Sequence, residues 1–213
     1  MQITEQQHKA AGEIVELIAT KLGKNRAVHS GTAISACARL SGSFMFRSFN
    51  FPMKNGTPGN AVLSEEANEK GPVLINILGG MLEHLGIHID AKKLDEISMT
   101  GSDLNFLDCM ILLQDKAVLI MNQYKLNFEQ MAYSCAMATA FIIKECQQDL
   151  QAESGFNTAV YSFIEGSKTY PPELSDPGSK KKNFFFILEI TCKQHLARVL
   201  CPGRAWLHWR CGN

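Results

Sequence analysis

With 213 residues, the chain has room for one domain, or for one domain and an appendage, because domains run to about 100–200 residues. Its 46% apolar and 20% charged residues, 21 basic against 21 acidic, exclude wholesale disorder and a chain that coats nucleic acid along its whole length. The opening MQITEQQHK has neither the basic start nor the apolar run of a signal peptide, and no stretch of 18 residues is free of charge, so the chain reads as soluble with no membrane partner. Seven cysteines are an odd number, and Cys37, Cys109, Cys135 and Cys146 sit in apolar helical patterns where a thiol acts as a small hydrophobe. That usage favours a reducing compartment and predicts a cytoplasmic location.

In chain order, Thr4 and Gln7 form a capping box ahead of Ala11, Ile14, Val15, Ile18 and Leu22, an amphipathic helix stopped by Gly23. From 27 to 49, Gly31, Ser35, Ala38 and Gly42 recur every three or four residues and form a stripe of small side chains. Each Gly costs about 1 kcal/mol of helix propensity relative to Ala, so this helix needs tertiary contacts and belongs at the centre. After a Pro- and Gly-containing loop over 50–60, Ser64 caps a segment with Glu65 and Glu66 in its first turn. Pro72 is expected to kink or restart it before Val73, Leu74, Ile77, Leu78, Met81 and Leu82 carry the period to Gly86.

Asp90 then caps a short helix stapled by Ile89 and Leu94. Ser102 opens a run to Tyr124 that is apolar on nearly every side, the pattern of a buried helix, with a pair of buried strands as the alternative. Asn127 and Gln130 make a second capping box before the helix that carries Met131, Cys135, Ile142 and Cys146. Phe156, Val160, Phe163 and Ile164 define the last, with Gly166 as its stop. Helices with short connections and no period-two strands predict an all-α fold, a compact bundle of about six helices with a basic C-terminal appendage.

The zero net charge hides an asymmetry. Seven basic residues and one acid leave 178–213 at +6 and the preceding 177 residues at −6, and both tryptophans fall in the basic part. The expected division is a helical domain over 1–166, a linker over 167–183 with Pro171, Pro172 and Pro177, and a Cys- and Trp-containing tail over 184–213. The tail has two readings. One is an amphipathic helix; the other is a segment not selected with the domain, since Lys180, Lys181, Lys182, Phe184, Phe185 and Phe186 have codons able to form an adenine run followed by a thymine run.

No motif in the chain fixes a reaction. The sequence GSKT from Gly166 has Ser167 where a phosphate-binding loop needs lysine, and it closes a helix instead of opening one. Glu83, His84, His88 and Asp90 gather metal-ligand types, but Gly86 interrupts the helical spacing that two imidazoles on one ion require. In the tail, Cys192, His195, His208 and Cys211 form two close pairs able to supply four tetrahedral ligands to zinc. Arg198, Arg204, Arg210 and the two tryptophans would then meet nucleic acid, a partner expected only if the basic tail is functional.

Arg39, Ser43 and Arg47 share one side of the small-residue helix. Two guanidinium forks about 12 Å apart along the axis suit an anionic small molecule or a protein partner's carboxylates, with Glu66 across the 50–60 loop as a candidate acid or base. The plainer reading is a polar face paired with Glu65, Glu66 or Glu69, and a loop that only connects. The expected function is a soluble helical interaction or small-ligand-binding module without evident catalysis. The alternatives are an enzyme acting on an anionic small molecule through the Arg/Glu-lined pocket, or a zinc-stabilised tail contacting nucleic acid. A chain ending at Asp176 is predicted to stay folded and helical, because the periodic apolar positions precede it. Urea melts check this, and a loss above about 3 kcal/mol against the full chain would place the tail in the core.

Overall fold

The computed structural model describes residues 3–23, 28–49, 51 and 56–175. Among these the fold is all-α: α1 (Glu5–Leu22), α2 (Ser30–Ser48), α3 (Glu65–His84), α4 (Ala91–Leu94), α5 (Phe106–Gln123), α6 (Phe128–Glu145) and α7 (Ala152–Ser167). The helix starts follow local chemistry. Thr4 and Asn127 each complete a reciprocal capping box with the glutamine three residues on, while Ser64, Asp90 and Asn105 accept from first-turn N–H groups. Gly86, at φ +80°, ends α3 as a left-handed glycine stop: its N–H bonds the Glu83 carbonyl and the Ile87 N–H reaches back to Leu82.

α2 is the axis of the bundle. Every residue from Ser30 to Phe46 is buried, and α2 packs chiefly on α6 and α7, with α1 against α6 and α5, and α3 against α6 and α7. The small-residue stripe makes this burial workable. A Cβ on Gly42 would lie 2.5 Å from the Phe163 carbonyl oxygen and 2.7 Å from the Ser167 nitrogen, and one on Gly166 would strike the Arg39 carbonyl. The two helix backbones therefore touch where they cross. Gly31 is pressed in the same way against the backbone of Gly101.

Three expectations are corrected. Gly166 lies inside α7 and is a packing contact, not a stop. α7 turns Ser154, Gly155, Thr158, Ala159, Ser162 and Gly166 inward together with Phe163, which is buried as expected, while Ile164 is exposed and Phe156 and Val160 are half-buried, because a glycine-lined crossing favours small side chains. Pro72 does not restart α3, which runs unbroken through it; Pro72 and Asn68 both face solvent, where water can satisfy the carbonyl that loses its helical partner. α5 begins at Phe106, not Ser102, and is a helix whose outward face is exposed at Ile111, Leu112 and Leu119.

The crossing predicts opposite responses from two glycines. Gly42→Ala is expected to destabilise by about 1–3 kcal/mol or more, since its methyl meets backbone that cannot step aside. Gly79→Ala, on the part of α3 where a Cβ meets nothing within 4 Å, should stabilise by up to about 1 kcal/mol through helix propensity. Paired urea melts measure both.

Candidate functional site

The side chains proposed from the sequence for anion binding lie on α2, and the structure shows what each one touches. Arg39 is buried, and its Nε donates to Glu165 Oε2 on α7 at 2.6 Å. Its Nη1 donates to Ser102 Oγ at 3.3 Å and to the Leu104 carbonyl. Ser102, expected to start a helix, instead helps to tie its own loop: its hydroxyl donates to the Leu104 carbonyl at 3.0 Å and accepts from the Leu104 N–H. The acid that meets Arg39 thus comes from α7, not from the first turn of α3.

Arg47 stands two turns further along. Its Nη2 donates to Gln114 Oε1 at 3.0 Å and to the Pro172 carbonyl, and Gln114 Nε2 donates to the Glu173 carbonyl at 3.1 Å. Burial lowers the guanidinium's pKa to about 10, against the opposing charges of Asp115 and Tyr170, so Arg47 stays protonated at neutral pH. Ser43, between the arginines, is buried and hydrogen-bonds to none of the other described residues. Glu66 is exposed near the start of α3 and makes none of the polar contacts of Arg39 or Arg47.

Within the expected 167–183 linker, residues 168–173 are held against the bundle. Val62 N–H donates to the Lys168 carbonyl at 2.7 Å, Tyr170 N–H to Asn60 at 2.9 Å, and Gly59 N–H, with φ +90° at that residue, to Tyr170 at 2.9 Å. The Tyr170 ring packs on Phe46 at 5.7 Å and on the backbone of Gly56. Part of the 50–60 loop and the segment after α7 therefore hold each other, and Arg47 and Gln114 fasten the latter to α2 and α5. Pro172, one of the prolines that suggested a linker, supplies the carbonyl that accepts from Arg47.

The loop between α4 and α5 is held in the same manner. Ser154 hydroxyl donates to the Ser98 carbonyl at 2.8 Å, Asn157 to Leu94 and Ile97, Thr158 Oγ1 accepts from the Thr100 N–H, and Thr32 Oγ1 donates to Asp103 at 3.1 Å. Buried polar side chains on α2 and α7 thus spend their hydrogen bonds on loop backbone.

The thiols are equally inward. Cys37, Cys109, Cys135 and Cys146 are buried; burial pushes the Cys37 and Cys109 thiols up to about 12 and Cys135 well above its ordinary value. Cys37, Cys109 and Cys135 remain protonated at neutral pH and offer neither nucleophile nor thiolate ligand. Among the described residues no group of three or more His, Cys, Asp or Glu gathers to hold a metal, and Gly86 breaks the helix between His84 and His88. Cys192, His195, His208 and Cys211 lie outside the described residues. No helix of the described chain is long and apolar enough to cross a membrane.

The described residues form concavities as well. An open, mainly apolar groove of about 420 Å³ is lined by Ile3, His8, Val73, Ile77, Met81 and Met137, and a polar hollow of about 490 Å³ includes His88, Lys93, Gln147 and Glu153. Glu153 Oε1 already accepts from the Asp90 N–H at 3.3 Å. The feature that sequence reasoning passed over is the outward face of α5, with Ile111 70%, Leu112 40% and Leu119 42% exposed. Its signal is present in the sequence as Asp108, Asp115 and Asn122, three polar residues seven apart along a helix otherwise rich in Leu and Ile. Comparison with known proteins finds no matching family model, no matching curated protein and no matching solved structure.

Arg47→Met is predicted to keep the bundle helical while releasing the segment that carries Pro172, because two donors to that one stretch become one. Limited proteolysis with mass mapping should show new cleavage between 168 and 176. Arg39→Met should cost more, about 2–3 kcal/mol, somewhat below the 3–5 of a fully buried pair because Glu165 keeps 27% of its side chain in water.

Proposed function

We propose that this chain is a helical protein-interaction module, without catalysis of its own, that binds through the outward face of α5. The observation that carries the proposal is the grouping of Ile111, Leu112 and Leu119 on one exposed stretch of an edge helix. Single exposed apolar residues are ordinary, but a contiguous set on one helix is the kind of surface that a partner covers. α5 touches α1 and α2 with its other side, so the exposed face is held by a rigid scaffold. A partner helix laid along it would bury apolar anchors about two turns apart.

The committed state of the arginines argues in the same direction. Anion recognition needs free N–H donors, and Nε and Nη1 of Arg39 and Nη2 of Arg47 are already directed at Glu165, Ser102, Gln114 and backbone carbonyls. The enzyme reading needs Glu66 and a guanidinium to converge on one reacting atom, and the contacts give that arrangement less support. A small apolar ligand is the second reading, supported by the groove along Val73, Ile77 and Met81. The zinc and nucleic-acid reading of the tail stands on its spacing alone.

The test uses a fluorescent amphipathic peptide helix of Leu and Lys as probe. Anisotropy should rise on titration with the wild-type chain, and Ile111→Glu should weaken binding at least about tenfold, in line with a charge placed at an apolar anchor. Equal binding by both chains, or none by either, would remove α5 as the interaction surface.

A further inference from the structure

The segment after α7 is held as a receptor holds a peptide. Pro171 and Pro172 have no N–H, so at these two positions the main chain offers carbonyls alone. The helices beside it supply matching donors: Arg47 Nη2 to the Pro172 carbonyl, and Gln114 Nε2 to the Glu173 carbonyl at 3.1 Å. Arg47 Nη2 also donates to Gln114 Oε1 at 3.0 Å, which fixes the two donors to each other.

An aromatic pocket adjoins the donors. The Tyr170 ring meets Phe46 edge-on at 5.7 Å, Phe46 packs on Phe51 at 5.5 Å, and Gly56 leaves the space that the ring fills, since a Cβ there would lie 2.0 Å from it. Along 168–170, the main chain of 59–62 pairs as an antiparallel strand does, with Val62 donating to Lys168, Tyr170 to Asn60 and Gly59 to Tyr170. Side-chain donors for carbonyls, set beside an aromatic surface, are the means by which grooves bind extended proline-containing peptides, whose prolines hold φ near −65° and reduce the entropy lost on binding.

The walls of this channel do not depend on their occupant. α2 packs chiefly on α6 and α7, and α5 on α1 and α2, while 168–173 lies beyond the last helix and contributes Tyr170 and Pro171 to the buried residues. A segment with so few apolar contacts opens at lower cost than the bundle it rests on.

We propose that the channel formed by Phe46, Arg47, Gln114 and the 56–62 loop is a binding site for an extended peptide that carries an aromatic residue followed by prolines, and that 168–173 occupies it in cis as an autoinhibitory strap. A tethered occupant competes at an effective concentration in the millimolar range, so a peptide supplied in trans enters when the strap is weakened. Gln114 is buried, so this site is distinct from the outward face of α5 and does not rest on the reading of that face.

The probe is a fluorescein-labelled peptide with the sequence of 168–175, KTYPPELS. In the full chain, Tyr170→Ala removes the ring from the pocket and leaves both donors in place. Peptide anisotropy is expected to rise at concentrations at least about tenfold lower with this chain than with the wild type. Adding Arg47→Met should weaken that binding about tenfold, the loss of one charge-assisted hydrogen bond, and a peptide with alanine in place of its tyrosine should bind as poorly. Equal binding by the wild type and Tyr170→Ala, binding by neither, or binding indifferent to Arg47 overturns the proposal. If Tyr170→Ala loses the helical circular dichroism of the wild type, the peptide is titrated to about 5 mM on the wild type, where binding supports the site and its absence overturns it. Hydrogen exchange on the wild type tests the strap with no substitution. The amides of Gly59, Val62 and Tyr170 should exchange together, at least about a hundredfold faster than those of 33–46 in α2, and a shared rate for both sets overturns the strap.

Discussion

The structure depends on the place where α2 and α7 cross with backbone against backbone. Gly42 and Gly166 face each other with no Cβ between them, and a methyl on either would overlap peptide atoms of the other helix. Close approach draws the rest of α7 inward, and its buried side chains are mainly serine, threonine and alanine, with Phe163 the one large apolar residue among them. A helix held this closely on one side and by α6 on the other has no solvent face left. That is why α2 is buried over its whole length from Ser30 to Phe46.

A fully buried helix brings a second constraint, since every polar group on it must find a partner inside. Ser41 donates to the Ala132 carbonyl of α6, Ser35 to the carbonyl of Thr32, Thr32 to Asp103, and Arg39 to Glu165 and the Leu104 carbonyl. Two of these partners, Asp103 and Leu104, belong to a loop that lacks a hydrogen-bond ladder of its own. The result is mutual: Thr32 and Arg39 find partners inside, and the loop between α4 and α5 gains fixed positions that local turn chemistry would not give it. Arg47 and Gln114 do the same for residues 172–173. Arginines that resembled ligand forks in the sequence thus serve as internal fasteners.

With the polar interior spent on itself, the unspent chemistry lies outside. α5 rests on α1 and α2 and turns Ile111, Leu112 and Leu119 to solvent. Apolar area left in water is a standing driving force for association, about 25 cal/mol for each Å² covered, and it is concentrated on one rigid helix. The buried, protonated thiols and the occupied guanidiniums offer no comparable handle.

Local signals in the sequence determined where helices begin and how the bundle is composed. The capping boxes at Thr4 and Asn127, the caps at Ser64 and Asp90 and the stop at Gly86 involve residues within a few positions of one another, and the small-residue stripe of α2 already implied a central helix with a close neighbour. Which helix that neighbour is, and that Gly166 lies within it, was decided only in three dimensions, because helical spacing is silent about what each face meets. The same holds for Arg39 and Glu165, 126 positions apart, and for an α5 whose apolar residues outnumber the neighbours available to cover them. Pattern counts apolar residues on a helix; burial depends on how many other helices reach it.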